Sequence, residues 1–298
     1  MIEQILFKLW YSLHYLPLPW LHRFGRLLGK FYSFTSNRER NITETNLRLC
    51  FPHLDDEQIR SLRNEAMQQL GCTFLEMPAI WFRPVDEVVG LIREIEGESN
   101  FDRPEGQGLI LLAPHIGCWE IVGLDLQRRG KVTNMYRPPR KMAYDAIVKQ
   151  ARERSGAELV PTDNSGVKRI LQTLKAGGIT GILPDQQPKS DKGAEFAPFF
   201  EIPALTMLLA NKLARKTGAK VVLACAERLE KGRGYKIHYL PAPEGISDQD
   251  SYRAAEALNQ GVEMVVKICP SQYQWSYKRF SKQPEGRPSP YKKPAASD

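Results

Sequence analysis

The apolar and polar positions divide the chain into an aromatic N-terminal stretch, one long helical stretch and a series of short alternating segments. Residues 5–21 are almost continuously apolar, broken by Lys8 and closed by Pro17 and Pro19. Crossing a bilayer needs about 20 apolar residues, so this run is marginal for a span. Residues 21–34 continue as an amphipathic helix, with Arg23, Arg26 and Lys30 set between apolar positions. Residues 55–81 predict a long helix: Asp55, Asp56 and Glu57 open it, and Ile59, Leu62, Ala66, Leu70 and Phe74 recur at helical spacing. Beyond it, strand-like segments at 109–113, 132–136, 159–161, 179–183 and 220–226 alternate with helical ones at 121–129, 142–155, 167–176, 205–217 and 250–268. Residues 235–240 follow Gly232-Arg233-Gly234 and read as the hairpin partner of the last strand. The pattern predicts an α/β fold, a mixed sheet flanked by helices on both faces, with an N-terminal membrane-associated helical segment. Three parts are expected: interfacial helices over residues 1–40, an α/β domain over 41–288 and a flexible basic tail over 289–298.

Charge sharpens this picture. The chain of 298 residues carries a net charge of +8. Residues 1–40 contribute +4 and residues 278–298 another +4, so the body between them is neutral. Basic ends on a neutral body point to an anionic partner: nucleic acid, membrane lipid or an acidic carrier protein. Aromatic residues beside Lys and Arg in the first 34 positions favour anionic lipid. They provide no stacking platform for nucleic acid, which is excluded as a partner. The five cysteines are scattered, with no paired spacing, so neither a disulfide framework nor a zinc site is expected. Gly25 to Lys30 imitates a phosphate-binding loop but is one residue short and lacks the Ser or Thr after Lys.

The chemistry concentrates in Ala113-Pro114-His115-Ile116-Gly117-Cys118-Trp119-Glu120. A buried strand ends at Pro114 and a helix begins near Trp119, and ligands of open α/β sheets gather at such strand ends. Gly117 allows a tight turn, which would let Glu120 reach the imidazole of His115. A carboxylate on one ring nitrogen fixes the tautomer and frees the other nitrogen as a base. Cys118, next to His115, offers a rival reading as a covalent nucleophile.

The stretch resembles the H-x-x-x-x-[D/E] signature of glycerolipid-type acyltransferases. The blocks that follow narrow the resemblance: Met135-Tyr136-Arg137-Pro138, Arg154-Ser155-Gly156-Ala157, Leu183-Pro184-Asp185-Gln186-Gln187-Pro188, Phe199-Phe200 with Pro203 and Thr206, and Gln274 to Phe280. In this order they are similar to the late acyltransferases of lipid A biosynthesis, the lauroyl and myristoyl transferases, from the N-terminus to about residue 288. The resemblance implies a bacterial enzyme on the cytoplasmic face of the inner membrane. Such an enzyme moves an acyl chain from acyl carrier protein, as co-substrate, to a hydroxyl of a lipid A precursor, with no metal or other cofactor. His115 would be the base and Glu120 its orienting partner, with backbone N–H groups at the start of the next helix on the oxyanion. Arg137 and Arg154, with Arg279 behind them, are the candidates for gripping acceptor phosphate or sugar acid. Asp185 is expected at the edge of the site, holding Arg137 or Arg154. The polar residues 187–195 are expected to form a mobile loop over the site, and Glu201 departs from the Gly usual in the family at that place. A lysophospholipid or another glycolipid is the alternative acceptor, and a non-enzymatic basic membrane-binding protein is the alternative outside enzymology.

Overall fold

The structure, a computed structural model, describes residues 2–137 and 145–291. Its centre is a five-stranded sheet built from β1 (Ile92–Glu96), β2 (Leu109–Leu112), β5 (Ile179–Ile182), β8 (Lys220–Arg228) and β9 (Tyr235–Pro241), in the order β1-β9-β8-β2-β5. β2 runs parallel to both β5 and β8, whereas β9 returns antiparallel to β8, so the sheet is mixed as expected. Its central strands are buried on both faces, and alternate residues go to opposite cores. Ile110, Leu112, Val221, Leu223 and Cys225 enter one core, and Leu109, Leu111, Val222, Ala224 and Ala226 enter the other.

Helices cover both faces. α6 (Trp119–Gln127) joins the second core, while α8 (Asn164–Lys175), α9 (Leu209–Thr217) and α10 (Ser251–Ile268) supply residues to the first. A short parallel pair, β3 (Thr133–Tyr136) with β4 (Glu158–Pro161), lies beside the sheet through a bridge from Val132 to Ile179. α7 (Asp145–Glu153) precedes β4, and the start of the helix expected from residue 142 lies outside the described residues.

The antiparallel pair β6 (Ala194–Phe199) and β7 (Ile202–Met207) replaces part of the expected loop and the first residues of the helix expected at 205. Its turn places Phe200 at φ 48° and Glu201 at φ 65°, the two left-handed residues of a tight hairpin turn. Residues 187–191 are tied down: Gln187 Oε1 accepts from Ser281, and Lys282 pairs with Asp191 at 2.7 Å. Tyr291, placed by the sequence in a flexible tail, accepts from the Phe280 N–H at 3.1 Å and donates to Asn46.

The N-terminal run is not one helix. α1 (Ile2–Ser12) ends in a short turn, and Pro17 starts α2 (Leu18–Phe34). No helix among the described residues is long and apolar enough to cross a membrane. α3 (Arg38–Cys50) leads to α4 (Asp56–Phe82), whose first turn carries a capping box between Asp55 and Gln58, and the short α5 (Val85–Val89) follows. α2 lies directly on α4 through glycines. A Cβ on Gly29 would stand 2.1 Å from the Met67 carbonyl oxygen, and one on Gly25 would stand 2.6 Å from Cys72 Cα. The opposite face of α2 exposes Trp20, Phe24, Leu27, Leu28, Phe31 and Phe34, a stripe at helical spacing. α1 adds exposed Ile5, Leu6 and Leu9.

Candidate active site

His115 stands where β2 ends, on the loop into α6. Gly117 makes the turn at φ 56°, and a Cβ there would come within 1.9 Å of the Ala226 carbonyl oxygen. The loop is pinned by its own backbone donors. The N–H groups of Ile116, Gly117 and Cys118 donate to Pro114, Gln272 and Ala226 carbonyls at 2.7, 3.1 and 2.9 Å. The Gln274 N–H donates to the His115 carbonyl at 3.0 Å. Trp119 and Glu120, the first residues of α6, keep their backbone N–H groups free of protein partners among the described residues. These unpaired donors lie at the positive end of the helix.

The carboxylate on His115 is Asp185, not Glu120. Nδ1 of His115 donates to Asp185 Oδ1 at 2.9 Å, and the His115 backbone N–H donates to Asp185 Oδ2 at 3.1 Å. Asp185 follows β5, the neighbour of β2, so the two strand ends bring the pair together. Burial pushes the Asp185 carboxyl up, but the facing His115 ring and the bonds from His115 outweigh it and hold the group below its ordinary value. Nε2 of His115, left with a lone pair, accepts from the Gln186 side-chain amide at 3.2 Å. With Nδ1 donating to Asp185, Nε2 keeps the lone pair that a general base needs.

Glu120 points elsewhere. Its carboxylate accepts from Arg152 of α7, from Nε at 3.2 Å and by a shorter bond from Nη2. Burial favours the neutral acid, but Arg152 overcomes it and keeps the group ionised below its usual range. Glu120 and Arg152 line a cavity of about 90 Å³ whose other walls are mainly apolar, among them Ile80, Trp81, Leu111, Leu126 and Ile182. A smaller cavity of about 20 Å³ lies against His115, bounded by Gln69, Thr73, Trp119 and Gln274. The ring of Trp119, 5.0 Å from that of His115, borders both.

The arginines separate into two kinds. Arg137 is exposed at the end of β3. Arg154 instead donates to the carbonyls of Ile80 and Arg83, closing the C-terminal turn of α4. Arg279 is buried, donating to the Leu205 carbonyl at 2.6 Å and to Thr206 and Asn259 side chains. Neither Arg154 nor Arg279 offers a free fork, and Asp185 holds neither Arg137 nor Arg154. Cys118 is buried, and its thiol is pushed well up, first by burial and then by Glu76, so it is no ready nucleophile.

Two groups of residues escaped the sequence reading. Arg152 holds Glu120 and Gln186 meets His115, yet neither has a role in that reading, although Gln186 stands inside the block at 183–188. The other group is a buried network: Glu76 of α4 accepts from Arg228 and from Tyr235 and meets His22 Nε2 at 2.8 Å. No spacing rule links positions 22, 76, 228 and 235.

Comparison with known proteins agrees with the resemblance. The chain is 28% identical over 285 residues to the lipid A biosynthesis lauroyltransferase of Escherichia coli K12, covering 93% of this chain and 90% of that protein. It is 28% identical to the palmitoleoyltransferase of the same organism, with 93% and 90% covered, and 25% identical to its myristoyltransferase, with 92% and 84% covered. A family profile described as bacterial lipid A biosynthesis acyltransferase matches residues 2–282. With nearly its whole length inside that profile, the chain belongs to the bacterial lipid A biosynthesis acyltransferase family.

Proposed function

We propose that this protein moves a fatty acyl chain from acyl carrier protein to a hydroxyl of a lipid A precursor. One observation carries the site: His115 at the strand end, with Nδ1 bonded to Asp185 and Nε2 keeping a lone pair, engaged by the Gln186 amide, for the proton of the acceptor hydroxyl. The family membership supports the reaction class. In this reading Nε2 takes the proton of the acceptor hydroxyl as its oxygen attacks the thioester carbonyl. Asp185 stabilises the imidazolium that results. The backbone N–H groups of Trp119 and Glu120 are the donors for the oxyanion. The carbon–sulfur bond then breaks, the new oxygen ester remains, and the imidazolium proton passes to the departing thiolate. Glu120 acts as a positioning residue, since its bond to Arg152 fixes the first turn of α6.

The apolar cavity beside Glu120 suits the acyl chain. At about 10–15 Å³ for each water-sized group, its volume of about 90 Å³ holds about six to nine such groups, fewer than the carbons of a fatty acyl chain. A full chain therefore requires its walls to part, and its depth is the expected basis of donor preference. Arg137 is the exposed fork available to the acceptor. The outer stripe of α2 with Arg23, Arg26 and Lys30 suits an anionic bilayer surface, consistent with work at the cytoplasmic face of the inner membrane.

The test is transfer of labelled lauroyl, myristoyl and palmitoleoyl chains from acyl carrier protein to a lipid A precursor or a lysophospholipid. Transfer to the lipid A precursor that disappears in His115→Ala supports the proposal. Transfer confined to the lysophospholipid, or unchanged in His115→Ala, overturns it.

A further inference from the structure

A third cavity, of about 530 Å³, opens between α2, α4 and the β8–β9 turn. Its size falls within the range of about 300–1,000 Å³ found for ligand sites. Arg23, Arg26, Arg228 and Lys231 line it, against two carboxylates, Glu65 and Glu230. Among the described residues no carboxylate pairs with Arg23, Arg26 or Lys231, although Arg23 lies over the Trp20 ring. Arg228 forms the buried wall. Its Nε and Nη2 are used on Glu76, Thr73 and the Gly117 carbonyl, yet its Nη1 is buried with no partner. Glu76 balances the charge of Arg228, so what Arg228 offers this wall is a leftover donor, while the charges of Arg23, Arg26 and Lys231 have no carboxylate partner among the described residues.

The backbone holds this arrangement in place. Lys231 adopts φ 57° in the left-handed region, and the next residue, Gly232, is pressed on α2 so closely that a Cβ would stand 2.4 Å from Pro19 Cα. The turn is thus locked over the start of α2, and Lys231 and Arg26 line the same cavity. The cavity also communicates with the chemistry. Gln69 lines both this cavity and the one against His115, and its Oε1 is buried without a partner. Arg228 in turn holds the carbonyl of Gly117, two residues from His115.

We infer that this cavity is a phosphate site, taking a phosphate ester of a lipid with Arg26, Lys231 and Arg228 as its donors. The ester belongs either to the acceptor lipid or to a phospholipid of the bilayer on which α2 lies. The acceptor arm rests on the function proposed above; the phosphate site itself does not.

The experiment uses the full chain in neutral detergent, with inorganic phosphate and glucose 1-phosphate as probes. Thermal melts and 31P line broadening are read for the wild type and for Arg26→Glu with Lys231→Glu. Phosphate is expected to raise the melting temperature of the wild type and to bind the double variant at least about tenfold more weakly, because each reversal replaces an attraction by a repulsion. Absence of binding to the wild type, or equal binding to both proteins, overturns the site. Two further readouts assign the ester. A tenfold or greater rise in KM for the lipid A precursor, with kcat retained, assigns it to the acceptor. Unchanged KM with weaker sedimentation on phosphatidylglycerol-containing vesicles, but not on phosphatidylcholine vesicles, assigns it to the bilayer. Loss of neither overturns the lipid assignment. Failure of the proposed reaction would show separately, as a wild type that binds phosphate but transfers no acyl chain.

Discussion

Replacing Asp185 by Asn separates its role from that of Glu120. Both oxygens of Asp185 serve His115, one on ring Nδ1 at 2.9 Å and one on the backbone N–H at 3.1 Å. An amide keeps the size but offers only one acceptor. Its NH₂ must face either the ring or the backbone donor, and it carries no charge to balance an imidazolium. If the ring turns its proton to Nε2, the base is lost altogether. A positioned base contributes roughly 10²–10⁴-fold, so Asp185→Asn should slow acyl transfer by about 10³-fold, or about 4 kcal/mol in the barrier. A bond to a charged group contributes about 1.5–3 kcal/mol to stability, so urea denaturation must first confirm that the variant is folded at the assay temperature. The measurement is single-turnover transfer from acyl carrier protein by His115→Ala, Asp185→Asn, Glu120→Gln and the two doubles containing His115→Ala. Once the base is gone Asp185 has nothing to orient, so the His115–Asp185 double should match His115→Ala. The His115–Glu120 double should fall further, because Glu120 acts on the first turn of α6. A near-wild-type rate for Asp185→Asn, together with a His115–Glu120 double no worse than His115→Ala, would refute this and restore Glu120 as the ring's partner.

Other expectations follow from the same geometry. Glu201→Gly should stabilise the fold by about 1 kcal/mol, since it relieves a left-handed side chain at φ 65°; a lower urea midpoint would contradict it. Arg279→Lys should cost about 2–3 kcal/mol by losing bonds to Leu205, Thr206 and Asn259, with KM for the acceptor unchanged in the folded protein; a raised KM at unchanged stability would put Arg279 on substrate. Glu76, fully buried, would be pushed up by desolvation, but Arg228 and His22 hold it at about 2. Its contribution, on the order of 3 kcal/mol, is therefore complete above the unfolded value of about 4.3 and lost as pH falls toward about 2; urea midpoints that do not fall over that window would exclude it. Gly29→Leu should separate α2 from α4 and cost more than about 3 kcal/mol, seen as early protease cleavage between them; an unchanged melt would mean that the helices do not pack as described.

The sequence showed most clearly what periodicity and composition can encode. Positions 109–113, five apolar residues between Gly108 and Pro114, read as a strand buried on both faces, which puts His115 at its end; the strand itself runs from Leu109 to Leu112. The edge strand β1 was invisible because Arg93, Glu94 and Glu96 give it the composition of a solvated loop. The β6–β7 hairpin was obscured by Pro198 and Pro203, which face each other in the pair. The partner of His115 was misread for a different reason. Five residues along the chain suggested contact, but the turn at Gly117 is clamped to Ala226, and this sends Glu120 to Arg152 on α7. Asp185 reaches the ring because β5 lies beside β2, a neighbour relation set by sheet order and not by sequence distance. The same blindness hid the real posts of Arg154 and Arg279: carbonyls at helix ends and strand edges leave no mark in a sequence.

The glycine contact between α2 and α4 decides how the protein can be prepared. A chain cut after residue 34 would not shed a detachable anchor. It would strip one side of α4, exposing Met67 and Cys72 and leaving His22 missing from the Glu76 network. A water-soluble form is better sought by recolouring the outer stripe, exchanging Trp20, Phe24, Leu27, Leu28 and Phe31 for polar side chains while Gly25 and Gly29 stay untouched. The same contact makes the reaction centre rigid with respect to α2, the helix proposed to meet the bilayer, because Ala66, Leu70 and Thr73 of α4 also wall the space beside His115. The depth at which α2 settles would then set the height at which the lipid hydroxyl must be presented.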